Sequence, residues 1–223
     1  MRKQLIPDGW ALVFDLDGVI VDSTRIHTEA WREYLLHLGK DCEDIERRMH
    51  GRRNDEIVAD FIGSDLGEQE IYAHGAAKEA LYREMMRSQL EERLVPGAAA
   101  FIRRGCGGLL GLGSNAEPAN IDFVIDGVGL RGCFRVIIDG HQVKRPKPDP
   151  EVYLRVAEGL GVAPQNCVVF EDSPAGTAAA RAAGARVVGV RTADAELGAV
   201  SLSIRNFLDP ALEPWLDTLQ RNS

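Results

Sequence analysis

Two aspartates set two residues apart close a short apolar run, and a glycine follows at once: Phe14-Asp15-Leu16-Asp17-Gly18-Val19. Two carboxylates in one tight loop suit three tasks: nucleophilic attack, binding of a hard divalent ion and proton transfer. Later in the chain, Ser114-Asn115 adds a hydroxyl and an amide, Lys147 an ammonium, and Glu171-Asp172 two more carboxylates. Together they suit phosphoryl transfer. Asp15 is the candidate nucleophile, which attacks phosphorus to give an aspartyl phosphate. Asp17 protonates the leaving oxygen and then helps deprotonate the next acceptor. Asp15, Asp172 and a carbonyl near Asp17 offer hard oxygens for Mg2+, which offsets the charge of two anions brought together. Ser114 and nearby N–H groups hold phosphoryl oxygens, and Lys147 offsets charge as phosphorus becomes five-coordinate.

Blander readings compete. Asp15 and Asp17 could be turn formers or a calcium loop, although the central glycine and distal glutamate of an EF-hand are lacking. Glu171, with Asp172 and Ser173, could cap the following helix. Lys147 could be solvated, although Arg145-Pro146-Lys147-Pro148-Asp149-Pro150 stiffens its backbone.

The elements that must position these groups follow from periodicity. Residues 11–14 read as a buried parallel strand. From 23 to 38 the apolar period becomes 3.6, with Ser23 as N-cap and Gly39 as stop. Further helices are expected over 54–62 and 68–93, with no convincing strand between 23 and 93. Past Pro96-Gly97, strands at 109–113, 134–138, 167–170 and 186–190 alternate with helices at 98–104, 118–125, 150–159, 174–183 and 212–219. The glycines of 109–113 weaken that strand in isolation, so helix packing must decide it. The alternation predicts an α/β fold: a Rossmann-like, doubly wound parallel sheet formed by 1–22 and 94–223, with an all-helical cap inserted over 23–93. In such folds ligands lie beyond the C-terminal strand ends, where the polar residues above cluster.

Bulk properties narrow the class. The chain has 223 residues, a formal net charge of -8, 45% hydrophobic and 27% charged residues. That suits a soluble globular protein and argues against a duplex nucleic-acid partner. No run is long enough to span a membrane and no signal-type segment opens the chain, so a cytoplasmic monomer is expected. Cys42, Cys106, Cys133 and Cys167 include no CxxC pair. They read as free, mostly buried thiols in a reducing compartment.

The motifs resemble those of the haloacid dehalogenase superfamily, in the branch with a helical cap after the first motif. Phe14-Asp15-Leu16-Asp17-Gly18-Val19, Gly113-Ser114-Asn115, Lys147-Pro148-Asp149-Pro150-Glu151 and Phe170-Glu171-Asp172-Ser173 match its four motifs in order. The resemblance implies magnesium bound through Asp15, the Asp17 carbonyl and Asp172, with Glu171 in support. It implies Asp15 as nucleophile, Asp17 as acid/base, and phosphoryl contacts from Ser114 and Lys147. Gly18 and Asn115 join the substrate site.

Within the superfamily the chain resembles beta-phosphoglucomutase and the sugar phosphatases around it. His27 falls on a cap histidine that helps position the acid/base, and Lys78 on a cap lysine that meets a distal phosphate. His50 and Gly51 fall on the cap segment that faces the active site. The mutase pattern has an arginine three residues after that glycine, where this chain has Asn54. Arg52 and Arg53 are adjacent, but their directions are shifted by about 100° or more around a helix. Plain packing or solvated roles compete for His27, Arg52, Arg53 and Lys78. The reading is therefore hydrolysis of a small phosphomonoester, a sugar or polyol phosphate, ahead of beta-phosphoglucomutase activity. A catalytically quiet phosphometabolite-binding domain is the remote third option.

Overall fold

The computed structural model describes residues 5, 7–49, 52–192 and 196–219. The chain divides into two compact units: Met1–Asp22 with Glu91–Ser223, and Ser23–Leu90. Along the first, strand β1 (Ala11–Phe14) precedes the helical insertion of α1 (Thr24–His37), α2 (Ile45–Met49), α3 (Asn54–Phe61) and α4 (Glu68–Arg87). The first unit then resumes with α5 (Ala98–Gly105), β2 (Leu110–Gly113), α6 (Pro118–Gly127), β3 (Val136–Ile138), α7 (Glu151–Leu160), β4 (Cys167–Glu171), α8 (Pro174–Ala182), β5 (Arg186–Val190), β6 (Leu202–Ile204) and α9 (Leu212–Leu219).

The described strands form one parallel sheet in the order β3-β2-β1-β4-β5-β6. Chain progression runs outward one way from β1 and the other way from β4. The topological switch therefore lies between β1 and β4, and the loops after these two strands flank it. Their register pairs Phe14 with Phe170, and the Asp15 N–H donates to the Phe170 carbonyl at 3.1 Å. The two rings stack at 4.9 Å between centroids, with Phe101, Phe134 and Phe207 around them. Alternation along the strands sends Val13 and Val169 to the opposite face, where α7 and α8 cover them. Asp15 and Glu171, one residue past the stacked rings, continue that second face.

The glycines of β2 have a packing reason. A Cβ at Gly111 would come within 2.4 Å of Val156 on α7, and one at Gly113 would press on Tyr153, Val152 and Val156 at 3.2–3.3 Å. Small residues let α7 lie directly against the strand, bringing Tyr153 close to the strand ends.

Several expectations need correction. The helix expected over 68–93 stops at Arg87, and 88–93 form turns. Ser23 does hold the N-cap position of α1, but it is buried and its side chain makes no capping hydrogen bond. The short β6 and α2 were not expected; three and five residues carry too little periodicity to announce themselves. The thiols are not all free: Cys106, exposed just past α5, is disulfide-bonded to Cys133, buried in the turn before β3. Proximity set by the sheet, which no local spacing reveals, brings them together. Cys42 and Cys167 remain free thiols, and burial pushes the Cys167 thiol up to about 11.

In the helical unit, α1 packs on α4 and α3 on α4. Trp31, Leu35, Ile45, Ile57, Val58 and Phe61 form its core. No described helix is long and apolar enough to cross a membrane.

Candidate active site

The first loop is a tight turn. The Gly18 N–H donates to the Val21 carbonyl at 2.7 Å and the Ile20 N–H to the Leu16 carbonyl at 2.8 Å. Gly18 has a φ of 70°, and a Cβ there would sit 1.8 Å from Asp172 Oδ2. Only glycine satisfies both demands, so this residue lets the Asp172 carboxylate close on the loop. The Thr192 hydroxyl, after β5, donates to the Gly18 carbonyl at 2.8 Å and lies 3.4 Å from Asp172 Oδ2. It ties the first and fourth motifs together.

Lys147 is buried, its Nζ 2.6 Å from Glu171 Oε1 and 2.9 Å from Asp15 Oδ1. Its backbone N–H donates to Asn115 Oδ1 at 3.2 Å, so Asn115 anchors the lysine loop to the end of β2. Ser114 is buried beside it; its N–H donates to the Ile138 carbonyl and its Oγ accepts from the Ala116 N–H.

Glu171 has no solvent exposure. Its Oε1 accepts from Lys147 Nζ and from the Tyr153 hydroxyl at 2.5 Å. Its Oε2 accepts from the Asp172 N–H, the Ser173 N–H and the Ser173 hydroxyl. A Cβ on Gly176 would lie 1.8 Å from Oε1, so the start of α8 must be bare there. Ser173 Oγ in turn accepts from the Gly176 N–H and caps α8. The capping and site roles of this motif therefore coexist.

Electrostatics follow from this crowding. Burial, acting against the Lys147 ammonium and with the charges of Glu171 and Asp17, raises the Asp15 carboxyl to about 7. Burial and the charges of Glu171, Asp15 and Asp17 push the Asp172 carboxyl well above the usual range. Burial alone would lower the Lys147 ammonium, but Asp15 and Glu171 outweigh it and hold it protonated. The site has more negative charge than its lysine offsets.

A divalent ion fits that deficit. Asp15, Glu171 and Asp172 offer carboxylate oxygens within 4.8 Å of one another. Asp15 Oδ1 is buried with no hydrogen-bond donor aligned on it, whatever its closeness to Lys147. Such an all-oxygen donor set suits Mg2+. Asp15 and Asp172 would hold the ion. The five donors on Glu171 make it the residue that fixes its neighbours. When bound, magnesium supplies positive charge for the incoming phosphate. In such a site Asp15 could act as nucleophile, Lys147 could offset charge on a transferring group, and Asp17, half-buried in the turn, could move a proton to the leaving oxygen.

Three of the expected cap residues, His27, Asn54 and Lys78, meet around Glu79 within the helical unit. Lys78 is buried, its Nζ donating to Glu79 Oε1 at 2.8 Å and to His27 Nδ1 at 2.9 Å. The His27 ring stacks on Tyr82 at 3.8 Å. Asn54 Nδ2 donates to the same Glu79 Oε1 at 2.7 Å. Burial would raise the Glu79 carboxyl, but Lys78, His27 and Asn54 together bring it down to about 2. Arg52 is elsewhere, donating to Asp60 Oδ2 and to the carbonyls of Glu56 and Arg48. Arg53 is exposed, with its Nε 3.3 Å from Asp55. His50 and Gly51 lie outside the described residues.

Tyr153, Thr192 and Glu79 were missed. Thr192 lies away from the motifs in sequence, and Tyr153, two residues past Glu151, reads as an apolar-face residue of α7, so only the fold shows their part in the site. Glu79 gave a local signal, a carboxylate directly after Lys78.

Comparison with known proteins agrees with this geometry. Residues 11–184 match the haloacid dehalogenase-like hydrolase family. Fructose-1-phosphate phosphatase YqaB of Escherichia coli is 34% identical over 184 residues, 81% of this chain and 95% of that protein. Phosphorylated carbohydrates phosphatase of Thermotoga maritima is 34% identical over 187 residues, 81% of this chain and 84% of its own length. The crystal structure of beta-phosphoglucomutase from Clostridium difficile superposes with a TM-score of 0.80 at 26% identity, covering 95% of this chain and 98% of that one.

Proposed function

The chain belongs to the haloacid dehalogenase-like hydrolases, and within that family we propose that it hydrolyses a sugar or polyol monophosphate rather than isomerising one. It is a magnesium-dependent phosphomonoester hydrolase of small phosphorylated metabolites that works through an aspartyl phosphate. The sugar-phosphate choice draws on relatives whose names specify fructose 1-phosphate and phosphorylated carbohydrates.

The preference for water over a sugar hydroxyl as acceptor rests on the helical unit. A mutase must grip a second phosphate while its bisphosphate intermediate turns round. In this chain the position that resembles the gripping arginine is Asn54, engaged with Glu79. Lys78 is buried and neutralised by the same carboxylate. Arg52 is engaged with Asp60 and two carbonyls. The Glu79 carboxylate occupies, in charge terms, the role that a second phosphate would play.

A magnesium assay over a panel of sugar and polyol monophosphates, reading released phosphate and isomerised product together, tests this. Phosphate release without isomer is expected. Conversion of beta-glucose 1-phosphate to glucose 6-phosphate faster than its hydrolysis, once primed with a bisphosphate, would overturn it.

A further inference from the structure

Tyr153 sits on α7, outside the motif residues, yet its hydroxyl is buried against the middle of the site. It donates to Glu171 Oε1 at 2.5 Å, the same oxygen that accepts from Lys147 Nζ at 2.6 Å. The Lys147 ammonium also stands 4.9 Å from the centroid of the Tyr153 ring. One oxygen thus receives two donors, and one ammonium is shared between two carboxylates. The sharing is uneven: Lys147 is aligned on Glu171, whereas Asp15 Oδ1 has no aligned donor despite lying 2.9 Å from Nζ.

We propose that Tyr153 is a positioning residue that sets how the Lys147 ammonium is divided between Glu171 and the reacting group on Asp15. A carboxylate oxygen already accepting a strong hydrogen bond attracts a second donor less. The Tyr153 hydroxyl therefore weakens the hold of Glu171 on Lys147 and leaves the ammonium available to the phosphoryl group. The aromatic face next to the ammonium excludes water from that side without adding a competing acceptor. Gly111 and Gly113 on β2 serve this arrangement, since they let α7 approach closely enough for the hydroxyl to reach Glu171. The inference rests on the aspartyl-phosphate reading of Asp15 and not on which ester is the natural substrate.

The test is Tyr153→Phe in the magnesium-loaded enzyme, which keeps the ring and removes only the hydroxyl. With para-nitrophenyl phosphate, kcat should fall about tenfold while KM stays within about twofold, because the lysine charge matters most in the transition state. Inhibition by orthovanadate, a five-coordinate mimic, should weaken about tenfold, and inhibition by inorganic phosphate should change less than about twofold. A structural role alone would lower the number of active sites, counted by burst amplitude, and leave kcat per site unchanged. That outcome, or a kcat within twofold of wild type, overturns the proposal. A second measurement needs no variant. In wild-type protein carrying 13C-labelled tyrosine, the Tyr153 hydroxyl proton resonance should move when orthovanadate and magnesium are added. An unmoved resonance under saturating vanadate also overturns it. Wild-type turnover measured in parallel keeps a failure of the hydrolase reading separate from a failure of the Tyr153 role.

Discussion

Replacing Glu79 by glutamine should make the helical unit less stable in a manner that depends on pH. Glu79 is a buried carboxylate held by Lys78, His27 and Asn54, and its carboxyl is brought from 4.5 down to about 2. A depressed carboxyl contributes stability that is fully present above its unfolded value and is lost as pH falls through its folded value. At pH 7 the shift corresponds to about 3 kcal/mol, and at pH 3 about 1 kcal/mol of that remains. The glutamine keeps the shape and the hydrogen bond from Asn54 but leaves the buried Lys78 charge uncompensated, a loss of the same order. The assay is urea unfolding followed by Trp31 fluorescence in a background with Trp10 and Trp215 changed to Phe. Glu79→Gln should cost about 3 kcal/mol at pH 7, and the cost should shrink by more than half at pH 3. A cost below about 1 kcal/mol at pH 7, or one that is the same at both pH values, would refute the reasoning.

Three further outcomes are expected. Asp17→Asn should lower kcat on a sugar phosphate by about 100-fold or more and on para-nitrophenyl phosphate far less, since only the poor leaving group needs a proton; steady-state kinetics on both esters check this. Gly18→Ala should weaken magnesium binding by about tenfold or more, because its Cβ would collide with the Asp172 carboxylate and the backbone there has positive φ; Mn2+ relaxation titration in the absence of substrate reads the affinity directly. Cys106→Ser should lower stability by about 2–4 kcal/mol, and reductant should reproduce that loss in wild type and add nothing in the variant, as measured by denaturant unfolding.

The sequence announced much of this architecture because its signals are local. A strand of four apolar residues ending in Asp15, and another ending in Glu171-Asp172, place acids at strand ends by period and punctuation alone. Alternation of strands and helices then implies one sheet edge for all of them. What stayed hidden depends on distant pairing. Tyr153 reads as an ordinary apolar-face residue of α7, and only the glycines of β2 and the register of β1 with β4 bring its hydroxyl to Glu171. Thr192 lies just beyond β5 with no motif around it, and it reaches Gly18 only because β5 pairs with β4. Cys106 and Cys133 meet through packing of α5 beside the turn before β3, which their spacing of 27 residues does not suggest. Lys78 and Asn54 both donate to Glu79, a convergence that their separation in sequence does not announce.

Trapping the covalent enzyme tests the central claim most directly. Magnesium-loaded protein would be mixed with a 32P-labelled sugar monophosphate, quenched in acid and reduced with borohydride before peptide mapping. Label retained at Asp15 before reduction, homoserine at that position after it, and loss of both in Asp15→Asn are the predicted results. Steady turnover with no label on Asp15, or an Asp15→Asn variant that keeps the wild-type rate, would contradict the account.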